Sequence, residues 1–363
     1  MKRQLLLKAI LTSFLIAFNS CSDDGVDGTN GVDGKDGVDA TGSVYLVLSG
    51  NISNDEAKAA LETKYSENTQ VILVTNTTAL TTLDLTGVPT LVDLEIRNNE
   101  KLTTINAPDL SEVLNTLEID NNSQLTSLNF TALKFGDDIT VSENNKLESM
   151  QFDALIGVHD HLYFYSNKEL RSLSLSNFVG NDRTYLGIID NPKLNDLNLS
   201  KLVDLDYLSI SATALTTIEI PQIINSNRIS LRDNSMLETV SFPKLEKITD
   251  ENGSGFSIYN SSPALSLVSL PLLTQASRFN IYSYEAQTAA GSLVLSSIID
   301  FDDISVNYYT LRTADVDALL SHLVSITPAI TEKYIYLYGS PSAQGDTDAS
   351  TLRSNGNSVN FRL

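Results

Sequence analysis

The sequence predicts a mainly β chain, a right-handed parallel β-solenoid of about ten coils with short helical caps at both ends. The first observation behind this prediction is a set of nine leucines that recur mostly every 22–23 residues, a period typical of stacked repeats. The second is a pair of apolar residues, two positions apart, before most of these leucines, which is the spacing of side chains on one face of a strand. The leucines are Leu80, Leu102, Leu125, Leu147, Leu170, Leu194, Leu215, Leu237 and Leu265.

Further columns of the repeat are apolar too. The positions three, five and eight residues after each leucine carry no charged residue; in the first coil they are Leu83, Leu85 and Val88. The preceding pairs include Leu94 and Ile96, Leu117 and Ile119, Ile139 and Val141, Leu162 and Phe164, Leu186 and Ile188, and Ile229 and Leu231. Stacked coils bury such columns against one another, so the pattern predicts one elongated solenoid over residues 72–310.

An asparagine stands three positions before six of the recurring leucines. These residues are Asn99, Asn122, Asn144, Asn167, Asn191 and Asn234. A carboxamide both donates and accepts hydrogen bonds, so an asparagine at one fixed turn position can bond the backbone of the neighbouring coil. We therefore predict a structural asparagine ladder.

Two coils carry a recognisable motif. Residues 91–99 read LVDLEIRNN and residues 114–122 read LNTLEIDNN, and both match the pattern LxxLxLxxN. This resembles the leucine-rich repeat, and the regular strand after the asparagine is similar to that of receptor L domains. The resemblance covers about two thirds of the chain. It implies a binding face formed by the residues between the inward leucines, and it does not specify a ligand.

Both ends of the solenoid are predicted to be capped. In the N-terminal cap, residues 44–71, a strand at Val44–Leu48 precedes a helix that Ser53 or Asn54 caps and that ends at Lys64. In the C-terminal cap, residues 311–363, an amphipathic helix with a threonine cap begins at Thr313. Strands are predicted at Tyr334–Tyr338 and near Val359–Phe361.

The first 20 residues have a positive start, an apolar run too short to span a membrane, and Cys21, the only cysteine, directly behind them. This layout resembles a bacterial lipoprotein signal peptide, although Phe18 replaces the usual leucine. The resemblance implies that Cys21 is the lipid anchor; an ordinary secreted protein is the alternative. The acidic residues 22–25 resemble the export signal of surface lipoproteins of the Bacteroidota. We therefore expect an outer-membrane, lipid-anchored protein that faces the cell exterior.

Residues 21–43 hold this cysteine and a Gly- and Asp-rich segment. Glycine occurs at every third position from Gly25 to Gly37, but proline is absent, so a flexible tether is favoured over a collagen-like triple helix. The aspartates are possible Ca²⁺ ligands, but the spacing of a calcium-binding loop is absent, and we predict no cofactor.

The net charge of −21 excludes a nucleic-acid partner, because such a partner requires a basic face. The same charge would be repelled by an anionic membrane surface, so membrane contact is expected through the lipid alone.

Candidates for chemistry are few. His159 and His161 alternate on a strand with Asp138 one coil earlier, which suggests either a zinc or copper site or a solvated strand edge. Glu95 and Glu118 share a register, which suggests either an acid–base pair or acidic surface. Because no nucleophile elbow or further cluster completes a site, we predict no catalytic residue and no metal.

Tyrosines at outward strand positions are the better functional candidates. Tyr163 and Tyr165 flank an inward phenylalanine, and Tyr185 and Tyr207 take outward or edge positions. Exposed tyrosines suit contact with proteins or glycans, although tyrosine is also common in strands. The predicted binding face comprises Arg97, Glu118, Tyr163, Tyr165 and Tyr259.

The predicted function is that of a non-enzymatic cell-surface lipoprotein that binds a protein or glycan partner in adhesion or recognition. An alternative is a glycan-binding accessory lipoprotein of an outer-membrane nutrient-uptake system. A β-helix enzyme acting on polysaccharide is less well supported.

Overall fold

The computed structural model describes residues 44–249, 255–260, 262–283, 287 and 289–362. They belong to one compact unit, Thr41–Leu363. Over these residues the chain is a parallel β-solenoid with short helices near both ends, which confirms the predicted fold class. The predictions for the signal peptide, Cys21 and the tether fall on residues 1–43, outside the described residues.

Each coil contributes one long and, in most cases, one short strand. The strands of the first half are β1 (Tyr45–Gly50), β2 (Val71–Thr77), β3 (Thr82–Asp84), β4 (Thr90–Arg97), β5 (Thr104–Asn106), β6 (Glu112–Asp120), β7 (Ser127–Asn129), β8 (Phe135–Ser142), β9 (Ser149–Gln151), β10 (Gly157–Tyr165), β11 (Ser172–Ser174), β12 (Gly180–Asn191) and β13 (Asp196–Asn198). Those of the second half are β14 (Asp204–Thr213), β15 (Thr217–Glu219), β16 (Asn225–Arg232), β17 (Thr239–Ser241), β18 (Lys247–Ile248), β19 (Phe256–Asn260), β20 (Leu267–Ser269), β21 (Gln275–Ser283), β22 (Ser292–Val294), β23 (Asp300–Asn307), β24 (Tyr334–Tyr338) and β25 (Ser358–Arg362).

The long strands form a single parallel sheet. Its order is β1-β2-β4-β6-β8-β10-β12-β14-β16-β18-β21-β23-β24-β25, and β19 lies between β16 and β21. The short strands form three smaller sheets, β3-β5-β7, β9-β11-β13 and β15-β17-β20-β22. Pairing stacks equivalent residues of successive coils, so that Leu94 lies opposite Leu117 and Leu117 opposite Ile139. The repeat in sequence thus becomes a set of columns in space.

The predicted apolar columns are the core. All nine recurring leucines are buried, and Leu265 is the most exposed of them at only 3%. Burying a leucine side chain contributes about 2 kcal/mol. The core is therefore continuous along the solenoid, and each coil contacts mainly its neighbours.

A left-handed residue ends most of the long strands. The non-glycine residues with φ between 51° and 56° are Asn76, Asn98, Asn121, Glu143, Ser166, Asp190, Ala212, Asp233 and Tyr308. In this conformation the chain turns sharply, and for a residue with a Cβ it costs roughly 1–2 kcal/mol. Each of these residues immediately precedes a buried residue of the turn, which is a ladder asparagine in six of the coils.

The N-terminal end has the strand β1 and the helix α1 (Asn54–Lys64). Ser53 caps the helix: its hydroxyl accepts from the Glu56 N–H, and the Glu56 carboxylate accepts from the Ser53 N–H. This reciprocal arrangement satisfies two donors at the start of the helix, as the sequence suggests for this segment.

The C-terminal end differs from the prediction in two respects. The helix α2 spans Thr313–Ser325, but its N-cap is Arg312 and no side chain caps it, so the predicted threonine cap is wrong. An ion pair between Arg312 and Asp315, 2.7 Å apart, holds the first turn instead. A further helix, α3 (Ala343–Ser354), was not predicted, and it joins β24 to β25, which extend the long sheet.

Candidate binding face

The outward side chains of the long strands form a surface of three adjacent columns, which we call the outer face. The first column includes Asp93, Thr116, Asp138, His161, Tyr185, Tyr207 and Arg228. The middle column includes Glu95, Glu118, Thr140, Tyr163, Gly187, Ser209, Ser230, Ser257 and Asn280. The third includes Arg97, Asp120, Ser142, Tyr165, Ile189, Ser211, Arg232, Tyr259 and Tyr282. All five predicted binding residues lie on this face, but in separate groups.

Arg97 and Glu118 belong to an ion triad. The Arg97 Nη2 atom lies 2.6 Å from a Glu95 carboxylate oxygen and 2.7 Å from one of Glu118. Burial raises the pKa of the Glu118 carboxyl and Arg97 opposes this rise, while the charge of Glu95 adds to it. Because one guanidinium serves both carboxylates, this corner of the face presents carboxylate oxygens rather than a free cation.

The two histidines of β10 bind different aspartates. His159 Nδ1 lies 3.0 Å from an Asp137 oxygen, and His161 Nδ1 lies 2.8 Å from an Asp138 oxygen. The Asp138 carboxylate is therefore beside His161, in the coil before it, as the register of the repeat suggests.

A cluster of rings occupies the centre of the outer face; we call His161, Tyr163, Tyr185 and Tyr207 the central aromatic cluster. The His161 and Tyr163 ring centres are 5.2 Å apart and nearly parallel. Tyr185 then contacts Tyr163 at 5.0 Å and Tyr207 edge-on at 4.3 Å. The Arg228 guanidinium lies 4.7 Å from the centre of the Tyr207 ring and ends the row. The contacts hold these rings as one surface across four coils.

Gly187 makes the packing of this cluster possible. A Cβ at this position would lie 2.5 Å from a ring carbon of Tyr163, so the Tyr163 ring occupies the space that any other residue would fill. Burial raises the pKa of the Tyr185 phenol, and the neighbouring phenols Tyr207 and Tyr163 add to the rise. Burial likewise raises the pKa of Tyr163. Both phenols therefore stay neutral at physiological pH and keep their O–H donors.

A second row of rings, the distal tyrosine row, begins at Tyr259. It continues through Tyr282 at 6.2 Å, Tyr308 at 5.4 Å and Tyr338 at 5.7 Å, each distance measured from the preceding ring centre. The Arg232 guanidinium lies 5.0 Å from the centre of the Tyr259 ring. Only Tyr259 was named from the sequence, yet Tyr282 follows it by 23 residues, one period of the repeat, and this spacing could have identified it.

Tyr165 stands apart from both groups. Its side chain is in the third column, between Ser142 and Ile189, and it is more than one third exposed. Among the described residues, no ring contact involves it. The structure therefore places Tyr165 on the outer face without joining it to the central aromatic cluster.

The six ladder asparagines are fully buried and bond neighbouring coils. The Asn144 carboxamide oxygen accepts from the Asn122 N–H at 3.1 Å, and its Nδ2 donates to the Ile119 carbonyl at 2.9 Å. The same two bonds recur from coil to coil through Asn167. Thr213 takes the position between Asn191 and Asn234, and its N–H and hydroxyl both donate to the Asn234 oxygen. The ladder thus rigidifies the turns beside the outer face.

Pockets on the described chain lie away from the two aromatic groups. One lies between α1 and the first short strand, lined by Lys58, Tyr65 and Asp84 among others. Another lies at the break between β13 and β15. The central aromatic cluster is accordingly a surface of rings rather than the wall of a deep cleft.

No protein-family model, curated protein or solved structure matches the chain. Within the described residues, none of the helices has the length and apolar character needed to cross a membrane.

Proposed function

We propose that the protein is a non-enzymatic recognition protein, tethered to the outer membrane by lipid at Cys21 and facing the cell exterior, that binds a protein or glycan through the outer face. The observation that carries the proposal is the central aromatic cluster, three tyrosines and a histidine in mutual contact on outward strand positions. Rings already packed against one another offer flat apolar area and lose little conformational freedom when a partner binds.

The geometry of the glutamates favours binding over catalysis. Arg97 contacts both Glu95 and Glu118, so these carboxylates serve an ion triad that holds the face together. An acid–base pair would instead leave one carboxyl free to receive and release a proton at the substrate. The proposal therefore assigns no reaction to this pair.

The test compares ligand capture by matched variants. The full chain is immobilised and screened against a glycan array and against purified extracellular proteins, and the best ligand is then titrated. Replacing Tyr185 and Tyr207 together by alanine should weaken binding at least tenfold, as expected of aromatic residues at the centre of an interface. Met236→Ala, which removes a side chain that is 55% exposed, serves as the control and should bind as the wild type does. Equal affinity of the tyrosine variant and the wild type would refute the proposed face.

The two arms of the screen also separate the protein and glycan alternatives. Binding to glycans alone would favour an accessory role in nutrient uptake, whereas binding to proteins alone would favour adhesion. The ligand class found in this way leaves the assignment of the face to be judged by the variants.

The anchor is tested separately. Cys21→Ala should move the protein out of the membrane fraction, and the wild type should incorporate labelled palmitate. Retention of the variant in the membrane would contradict the lipid anchor without bearing on the outer face.

A further inference from the structure

Two neighbouring coils bring three metal-ligating side chains together. Asp138 of β8 and His161 of β10 are register partners, and the His161 Nδ1 atom lies 2.8 Å from an Asp138 oxygen. An Asp160 oxygen lies 3.4 Å from the same nitrogen. The three ligand atoms all lie within 4.8 Å of one another.

An irregularity in β10 is what adds Asp160 to this group. Adjacent residues of a regular strand point to opposite faces, which would send Asp160 away from His161. The pairing of β10 with β8 shifts between Val158 and His161, and such bulges re-aim side chains. The Asp160 carboxylate consequently reaches the His161 ring on the outer face.

The imidazole is held in place by its neighbours. The His161 ring stacks on Tyr163 with an angle of 18° between the ring planes, and the Tyr185 ring centre is 6.0 Å away on the next coil. A ligand whose orientation is set before binding loses less freedom when an ion arrives, which raises the affinity of the site.

The negative charge of this group lacks a nearby compensating cation. In the described part of the chain, no lysine or arginine lies within ion-pair distance of Asp138 or Asp160, whereas the outward Asp190 pairs with Lys168. Asp137 adds a third carboxylate: burial raises its pKa and His159 opposes the rise, while Asp138 and Asp160 add to it. A bound divalent cation would offset this charge.

We propose that Asp138, Asp160 and His161 form a binding site for a divalent transition-metal ion, with Zn²⁺ as the probe. One imidazole nitrogen and two carboxylate oxygens suit Zn²⁺, which binds such ligands at about 2.0–2.2 Å, whereas Ca²⁺ and Mg²⁺ prefer oxygen alone. To ligate the ion, the Nδ1 atom supplies its lone pair, so the ring carries its proton on Nε2 or releases the second proton to solvent. Remaining coordination positions face the solvent beside the central aromatic cluster. This site does not depend on the proposed recognition function.

The experiment is calorimetric titration of Zn²⁺ into the full chain and three variants. His161→Ala and Asp138→Asn each remove one ligand and should weaken the site at least tenfold, the order of loss seen when metal sites are perturbed. His159→Ala removes a histidine two residues away that contacts Asp137 instead, and it should retain wild-type affinity. The Cys21 thiol and the tether aspartates are common to all four proteins, so their contribution cancels in the comparison.

Three results would overturn the assignment. They are the absence of a saturable zinc site in the wild type, equal zinc affinity of the wild type and His161→Ala, and equal losses in His159→Ala and His161→Ala. Circular dichroism of the zinc-free variants verifies that each is folded. A parallel Ca²⁺ titration adds a chemical test, because an imidazole ligand predicts that His161→Ala leaves Ca²⁺ binding unchanged.

Discussion

Replacing Asn144 by alanine should destabilise the solenoid strongly, because this fully buried side chain bonds backbone groups of more than one turn. Its oxygen accepts from the Asn122 N–H, and its Nδ2 donates to the carbonyls of Ile119 and Ser142 at 2.9 and 2.8 Å. Alanine supplies none of these partners. One backbone N–H thus loses its acceptor and two carbonyls lose a donor in the interior.

The expected loss follows from these groups. Leaving a buried donor or acceptor unsatisfied costs about 1–3 kcal/mol. The orphaned Asn122 N–H and the weakened carbonyls together give a loss of about 3 kcal/mol or more in the free energy of unfolding. Folded domains are stable by only about 5–15 kcal/mol, so this loss is easily measured.

The assay is urea unfolding of the full chain followed by circular dichroism. The matched control is Asn227→Ala, because the Asn227 side chain is exposed and bonds only the side chains of Asp206 and Thr249. Exposed substitutions of this kind usually change the free energy of unfolding by about 0.5 kcal/mol or less. An Asn144→Ala variant within about 1 kcal/mol of the control, at an unchanged slope, would refute the account of the ladder.

Three further predictions concern the outer face. Gly187→Ala places a Cβ against the Tyr163 ring, so near-ultraviolet circular dichroism should change and the free energy of unfolding should fall by about 1–3 kcal/mol. Burial raises the pKa of Tyr185, so the unfolded chain loses that proton first, near pH 10; the folded state should lose stability above that pH, and Tyr185→Phe should reduce the loss in urea midpoints. Arg97→Gln leaves two adjacent carboxylates without their cation, which should cost about 1 kcal/mol at pH 7 and less near pH 4, where Glu118 is protonated.

Each of these predictions has its own contradiction. Gly157→Ala is the matched control for Gly187, because its nearest neighbour would be 3.9 Å from the new Cβ; identical spectra of the two variants would argue against the Tyr163 contact. An alkaline profile of Tyr185→Phe that coincides with that of the wild type would remove the buried phenol as a cause. For Arg97, the same stability gap at both pH values would show that carboxylate repulsion is not the reason for the loss.

Much of the fold could be predicted because the repeat is written in local spacing. The nine leucines marked the core, and the two-residue alternation around Phe164 marked the outward tyrosines before any contact was known. The helix α3 escaped prediction because its segment is mostly polar; only Gly345, Asp348, Ala349 and Leu352 are buried, and it stands in place by packing against its neighbours. Its burial is a property of the assembled end of the solenoid and not of its own pattern.

The sequence by itself determined the architecture, since a period of 22–23 residues with apolar columns is satisfied by stacked parallel coils, and it determined which residues point outward. Only the tertiary structure decided which outward residues act together. That Tyr163 packs over Gly187 against Tyr185, that Arg97 serves two carboxylates, and that Asp160 turns towards His161 depend on side-chain orientation and on a shift of strand pairing. Such contacts join residues a full coil apart, and spacing along the chain records their register but not their geometry.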